Sequence, residues 1–132
     1  MKRIILCIFA FCISIYASAW GFGGYATDVA TNTGNGWQQA DWGNVIIVMN
    51  EESLTITSAS HRFEYDIITM KKGDNNSRGE EEYWSDAFRE ASGTRHTIRW
   101  VFVQNEPTMD IQIYIYHPKA SVVFNVKIIT YD

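Results

Sequence analysis

The fold class is decided by residues 94–131, TRHTIRWVFVQNEPTMDIQIYIYHPKASVVFNVKIITY. Three runs in this stretch, at 94–103, 109–116 and 121–131, alternate apolar and polar side chains with a period of two, which is typical of half-buried strands. The predicted inward residues are Ile98, Trp100 and Phe102 in the first run, Met109, Ile111, Ile113 and Ile115 in the second, and Val122, Phe124, Val126 and Ile128 in the third. Short turns at 105–108, with Pro107, and at 117–120 join the runs. The stretch therefore predicts an antiparallel meander.

The same strand pattern continues toward the N-terminus. Residues 45–49, 54–57 and 61–70 are rich in β-branched and aromatic side chains, and the third run places Phe63, Tyr65 and Ile67 on one face. Residues 83–91 fit both a helical stripe and an alternating strand. We predict a strand, because the neighbouring elements are strands and residues 92–93 can form a hairpin turn. Residues 71–82 contain no apolar residue and predict an exposed, mobile loop.

These elements predict an all-β fold. About seven strands recur at spacings near ten residues, and no segment is a convincing long helix. We expect a small antiparallel meander that closes, or partly closes, into a barrel, with a β-sandwich as the alternative. Closure is favoured because long apolar strands otherwise leave unpaired edges. The short turns favour up-and-down connections.

The N-terminal residues have the pattern of a secretory signal peptide at 1–19. Lys2 and Arg3 precede the apolar run 4–16, and Ala17-Ser18-Ala19 fits a cleavage site. Both cysteines lie in this segment, so the mature chain is predicted to have no disulfide and no cysteine nucleophile. We therefore expect an exported protein, periplasmic or extracellular. The lack of disulfides favours a bacterial source.

The segment that follows, residues 20–43, is rich in glycine and tryptophan. It holds six glycines together with Trp20, Trp37 and Trp42. We predict an N-terminal arm over 20–43, flexible as far as about Gly36, and a β domain over 44–132.

The charge balance argues against nucleic acid as a partner. Because Lys2 and Arg3 lie in the predicted signal peptide, the mature chain keeps 9 of the 11 basic residues against all 15 acidic ones, a net charge of −6. Nonspecific binding to nucleic acid needs a basic face. The apolar run at 4–16 is too short to span a bilayer, which needs about 20 residues, so we expect no membrane span in the mature chain.

The layout resembles short secreted β-proteins of gut-type Bacteroidetes. The resemblance rests on a signal followed by a tryptophan-bearing arm, and on strand patterns that cover most of the mature chain. These patterns are LTITS at 54–58, FEYDII at 63–68, TIR at 97–99, IYI at 113–115 and FNV at 124–126. The resemblance implies a location outside the cytoplasm and a lipocalin-like shape, and it implies no activity.

No catalytic, metal or cofactor motif stands out in the sequence. His61, His96 and His117 are far apart and lack metal-ligand spacing. Residues 74–79, DNNSRG, begin like a calcium loop, but Arg78 stands where an oxygen ligand is needed. Glu64 and Asp66 are interpreted as residues of the solvent-exposed face of a strand. We predict no catalytic residue, no metal ligand and no cofactor.

Aromatic side chains on the polar face of the 109–116 strand give the candidate binding surface. We define the outer strip as four residues of that face, Asp110, Gln112, Tyr114 and Tyr116. We expect Trp37 and Trp42 to lie beside it. Such a strip can stack sugars or receive a protein. The expected function is an exported noncatalytic module that binds a protein or glycan partner. The alternatives are a lipocalin-like carrier of a small apolar ligand and a small hydrolase; bulky inward residues such as Trp100 count against the carrier.

Overall fold

The computed structural model describes residues 21–74, 80–105, 108–117 and 119–131. The predicted signal peptide at 1–19 lies outside the described residues. So does most of the calcium-like segment, at 75–79, and so do the two residues at 106–107 of a predicted turn.

The described residues form one antiparallel sheet that closes on itself. Its strands are β1 (Gly21–Asn32), β2 (Gln38–Ala40), β3 (Ile46–Asn50), β4 (Ser53–Thr57), β5 (Arg62–Ile67), β6 (Lys71–Lys72), β7 (Glu80–Arg89), β8 (Thr94–Asn105), β9 (Thr108–Tyr116) and β10 (Ser121–Tyr131). Eight of them, all except β2 and β6, are neighbours in chain order, and β10 pairs with β1 to close the barrel. The all-β, up-and-down barrel is thus confirmed, and the β-sandwich alternative is wrong.

The flexible arm predicted to reach Gly36 is wrong over β1. This strand pairs with β3 on one edge and with β10 on the other, so it carries the closure of the barrel. Phe22 and Val29 are buried inside. A Cβ at Gly24 would overlap the backbone carbonyl oxygen of Lys127, and the register of the β1–β10 pair shifts at this point. The glycines therefore mark close backbone approach and a bulge, not disorder.

The exposed loop predicted over 71–82 is wrong at both ends of that range. Lys71 and Lys72 form β6, which pairs with β7, and residues 80–82 already belong to β7. Backbone pairing needs no apolar side chain, so composition alone did not reveal these strands. The strand predicted over 83–91 is confirmed; Tyr83, Ser85 and Ala87 face the interior.

The predicted inward rows of β8, β9 and β10 are confirmed and fill much of the barrel. Trp100, Phe124 and Ile113 are fully buried, together with side chains from β3 and β4. The indole Nε1 of Trp100 donates to Ser85 Oγ at 2.8 Å, so the one polar atom of this large ring is satisfied inside the core. Among the described residues, the interior leaves space at the end where the β7–β8 and β9–β10 turns lie. We call this the mouth end.

Candidate functional site at the mouth of the barrel

One arginine and two histidines turn toward the barrel interior at the mouth end. Residues two apart on a strand share a face. Arg89 follows the inward Ala87 by two positions, His96 precedes Ile98, and His117 follows Ile115. Alternation therefore turns all three side chains toward the interior, just beyond the last fully apolar layer.

These residues border a cavity of about 480 Å³, the mouth cavity. Its lining comes from the ends of β1, β5, β7, β8, β9 and β10 and from the segment between β2 and β3. The lining residues are Thr31, Thr33, Trp42, Phe63, Tyr65, Arg89, Ser92, Thr94, His96, Ile115, His117, Ala120, Ser121 and Val122. The volume is in the range of small-molecule sites, and an eight-stranded barrel has room for one small ligand.

An aromatic wall forms one side of the mouth cavity. Trp42 stacks on His61 with ring centroids 4.1 Å apart and an interplanar angle of 12°. Its centroid lies 5.8 Å from that of Phe63 and 5.4 Å from that of Phe124. The segment between β2 and β3 thus folds over the barrel end and anchors Trp42 on core residues. Trp42 is half-buried by these contacts and offers a flat apolar surface to the cavity.

His96 lies among polar and aromatic groups of the cavity lining. Its Nε2 is 2.9 Å from Thr94 Oγ1, and its ring centroid lies 4.9 Å from that of His117 and 5.2 Å from that of Tyr65. Burial, and then the nearby charges of His117 and Arg89, lower the pKa of His96. Burial raises the pKa of Tyr65, against a smaller opposite effect of Arg89. At neutral pH this side of the cavity therefore presents a neutral imidazole and a neutral phenol.

Among the described residues of the cavity lining, Arg89 alone carries a permanent charge. Its guanidinium carbon lies 4.5 Å from the centroid of the Phe63 ring, a cation–π contact. Its Nε and the Nδ1 of His96 are both buried, and neither has a hydrogen-bond partner in the part of the chain that the structure describes. Among the described residues, no carboxylate forms an ion pair with Arg89.

The outer strip lies on the outside of the barrel, as predicted. The Tyr114 and Tyr116 rings are nearly parallel, with centroids 6.1 Å apart and an angle of 8°. Trp84, on β7, continues the row 6.1 Å from Tyr116 at an angle of 21°. Trp37 packs edge-on against Tyr114 at 6.2 Å. The structure therefore brings Trp37 to the strip and adds Trp84, which sequence reasoning did not include in the site.

The polar groups of the outer strip are paired within the protein. Tyr114 OH donates to Gln112 Oε1 at 3.3 Å, and Lys127 Nζ lies 3.4 Å from Asp110 Oδ1. Between the rings sits Arg99, whose guanidinium carbon is 5.2 Å from the Tyr114 centroid and which is ion-paired with the buried Glu82. Partial burial opposes the charge of Arg99, but the hydrogen bond and charge of Glu82 outweigh it and raise its pKa.

The predicted site residues therefore divide between two places. Trp42 lines the mouth cavity, and the other five residues lie on or against the outside of the barrel. The sequence-based site missed the cavity lining from β5, β7, β8 and β9. The sequence does contain a signal for this lining. Extending the inward-facing positions of each strand by two residues leads to Phe63, Arg89, His96 and His117, which lie at the same end of the barrel.

The histidines do not form a hydrolytic triad with the described residues. Ser60 Oγ lies 2.8 Å from His61 Nδ1, but none of the three histidines is hydrogen-bonded to a carboxylate of a described residue. A triad needs that third group to orient the base. Within the described ranges, no group of three or more His, Cys, Asp or Glu side chains is placed to hold a metal ion.

Comparisons of the chain with protein-family models, with curated proteins and with solved structures found no match. In the part of the chain that the structure describes, no helix is long and apolar enough to cross a membrane. Function is therefore inferred from the mouth cavity and the outer strip.

Proposed function

We propose that this protein is an exported, noncatalytic binding module that holds one small ligand with an apolar or aromatic body in the mouth cavity. The observation that carries the proposal is a cavity of about 480 Å³ with Trp42, Phe63 and Tyr65 in its lining. An apolar pocket with a few convergent polar groups is the usual form of a small-molecule site. This geometry favours the carrier alternative over the protein or glycan partner first expected from the sequence.

The filled part of the barrel limits the ligand and holds the site in shape. Trp100, Phe124 and Ile113 occupy the interior below the cavity, so a long acyl chain has no room along the barrel axis. Closure of the sheet by β1 and β10 fixes the strand ends that carry the lining residues. A preformed site loses little free energy to ordering when the ligand enters. We therefore expect a compact ligand.

A fluorescence titration with N-phenyl-1-naphthylamine, a neutral apolar probe, tests the proposal. Protein purified from cells expressing the full chain should bind it. Replacing the cavity residue Val122 by Trp fills the site and should weaken binding about tenfold or more, the range expected when apolar contacts of 1–3 kcal/mol are lost. Val48→Trp is the matched control, because Val48 is 51% exposed on the outside of β3. No binding by the unaltered protein, or equal loss in both variants, would overturn the proposal.

A second candidate function is the protein or glycan partner at the outer strip. It is favoured by the nearly parallel rings of Tyr114, Tyr116 and Trp84, which make an aromatic platform on the outer face. Flat rings of this kind stack on sugars and on partner side chains. The double variant Tyr114→Ala and Tyr116→Ala should lose binding to a glycan array or to a captured partner. Tyr25→Ala, which alters another exposed ring, is the control. Unchanged binding in the double variant rules this candidate out.

A further inference from the structure

Two buried nitrogen atoms of the mouth cavity have no hydrogen-bond partner among the described residues. They are Nε of Arg89 and Nδ1 of His96. Buried polar groups in folded proteins are almost always hydrogen-bonded, and an unmade bond costs about 1–3 kcal/mol. A third buried atom without a partner, Glu51 Oε2, belongs to the β3–β4 turn and not to this cavity. Two such atoms in one cavity are donors that a bound acceptor can satisfy.

The charge of the cavity is opposite to that of the chain. The sequence carries 15 acidic and 11 basic residues, yet the lining residues that the structure describes include Arg89 and no carboxylate. A partly buried charge without a counter-ion is unfavourable, and an anion at that position removes the penalty. Arginine suits this role because its planar guanidinium can donate two parallel hydrogen bonds to an oxyanion.

His96 can supply a further donor on the same side. Thr94 Oγ1 lies 2.9 Å from Nε2, and Ser92 Oγ lies 2.6 Å from Thr94 Oγ1. When the Thr94 hydroxyl donates to Nε2, the ring proton is on Nδ1, which is the atom without a partner. Nδ1 then donates to an acceptor in the cavity, and protonation of the ring strengthens that bond.

We propose that the ligand of the mouth cavity is a small organic acid, with one oxyanion head group such as a carboxylate and an aromatic or branched aliphatic body. Arg89 and His96 bind the head group, and Trp42, Phe63 and Tyr65 pack against the body. This proposal rests on the proposed function and names the ligand class for the same site.

Two fluorescent probes that differ by one charged group test it. N-phenyl-1-naphthylamine and 8-anilinonaphthalene-1-sulfonate share their aromatic body, and the second adds a sulfonate. The unaltered protein should bind the sulfonate at least about tenfold more tightly, since charge-assisted hydrogen bonds are the strong ones. Arg89→Gln should remove that preference and leave the affinity for the neutral probe within about twofold. Arg95→Gln, which removes the same charge from an exposed position of the next strand, should change neither affinity.

The outcomes separate the two proposals. Binding of neither probe overturns the proposed function and this inference together. Equal binding of both probes, unaffected by Arg89→Gln, overturns the inference and leaves the proposed function standing. Equal loss of sulfonate binding in Arg89→Gln and Arg95→Gln shows that surface charge, not the cavity, attracts the probe, and also overturns it. If Arg89→Gln loses affinity for the neutral probe as well, His96→Gln is measured in its place. It should then lose the preference for the sulfonate and keep its affinity for the neutral probe.

Discussion

Replacing Arg89 by Met should make the unliganded protein more stable. The change removes a buried Nε that lacks a hydrogen bond, which relieves about 1–3 kcal/mol. It also removes the cation–π contact over Phe63, made at 4.5 Å and worth about 0.5–1 kcal/mol at a partly exposed site. A methionine of similar length keeps an apolar contact with that ring. Because the Arg89 side chain is only half-buried, we take the lower half of the range of about 1–3 kcal/mol for the unmade hydrogen bond. After the lost cation–π contact is subtracted, the free energy of unfolding should rise by about 1 kcal/mol.

Urea unfolding followed by tryptophan fluorescence measures this gain. A gain of about 1 kcal/mol corresponds to a rise in Tm of about 4 °C for a domain of this size. Arg95→Met, at an exposed position, is the control and should stay within about 0.5 kcal/mol of the unaltered protein. A loss of about 1 kcal/mol or more in Arg89→Met would refute the reasoning, since it would make Arg89 a structural residue. Greater stability together with loss of sulfonate binding is the combination expected of a residue kept for its ligand.

Three further changes test other parts of the structure. Because burial first, and then the His117 and Arg89 charges, lower the pKa of His96, its contribution to stability is complete above the unfolded-state pKa of about 6.5 and is lost as the pH falls below it. Urea midpoints between pH 7.5 and 5 should therefore decline, and His96→Gln should flatten the decline; an equal slope in the variant contradicts the assignment. Glu82→Gln should destabilise by about 2–4 kcal/mol, because it breaks a pair whose Glu82 side chain is only 6% exposed, whereas Glu64→Gln in a pair that is more than 60% exposed should cost under about 0.5 kcal/mol. Gly24→Ala should lower the urea midpoint strongly, since its Cβ has no room against the β10 backbone; an unchanged midpoint would contradict the close approach of β1 and β10.

The strands of the barrel were predictable wherever one face is apolar. In β8, β9 and β10 the period of two identified the buried residues, among them Trp100, Ile113 and Phe124. The apolar–polar alternation did not reveal β1, because its glycines have no side chain to contribute to the pattern. Their close backbone contacts are also with strands distant in sequence, which no local pattern shows. The alternation also did not reveal β6, where two lysines join the sheet through backbone pairing alone.

The mouth cavity was harder to predict than the strands, for a reason of topology. Arg89, His96 and His117 each stand at a strand end, and taken singly each is an ordinary turn residue. Only the closed order of the strands shows that these ends meet around one opening. The position of Trp42 depends on its stacking with His61, a contact across about twenty residues that no local pattern encodes. The outer strip was easier to predict, because Tyr114 and Tyr116 are two apart on one strand.

The outer strip and the mouth cavity differ in how many of their polar groups already have hydrogen-bond partners, and this difference favours the cavity as a site for a polar ligand. On the outer strip Gln112, Asp110 and Arg99 already have partners in the protein, so a ligand's polar groups must compete with bonds that exist. In the mouth cavity Arg89 Nε and His96 Nδ1 have no partner among the described residues, so an acceptor there gains two bonds and breaks none of the protein's described hydrogen bonds. The net value of a hydrogen bond is small when one is exchanged for another, and larger when a buried donor would otherwise stay unpaired. For ligands of equal apolar area, an oxyanion in the cavity therefore gains more free energy than the same group on the strip.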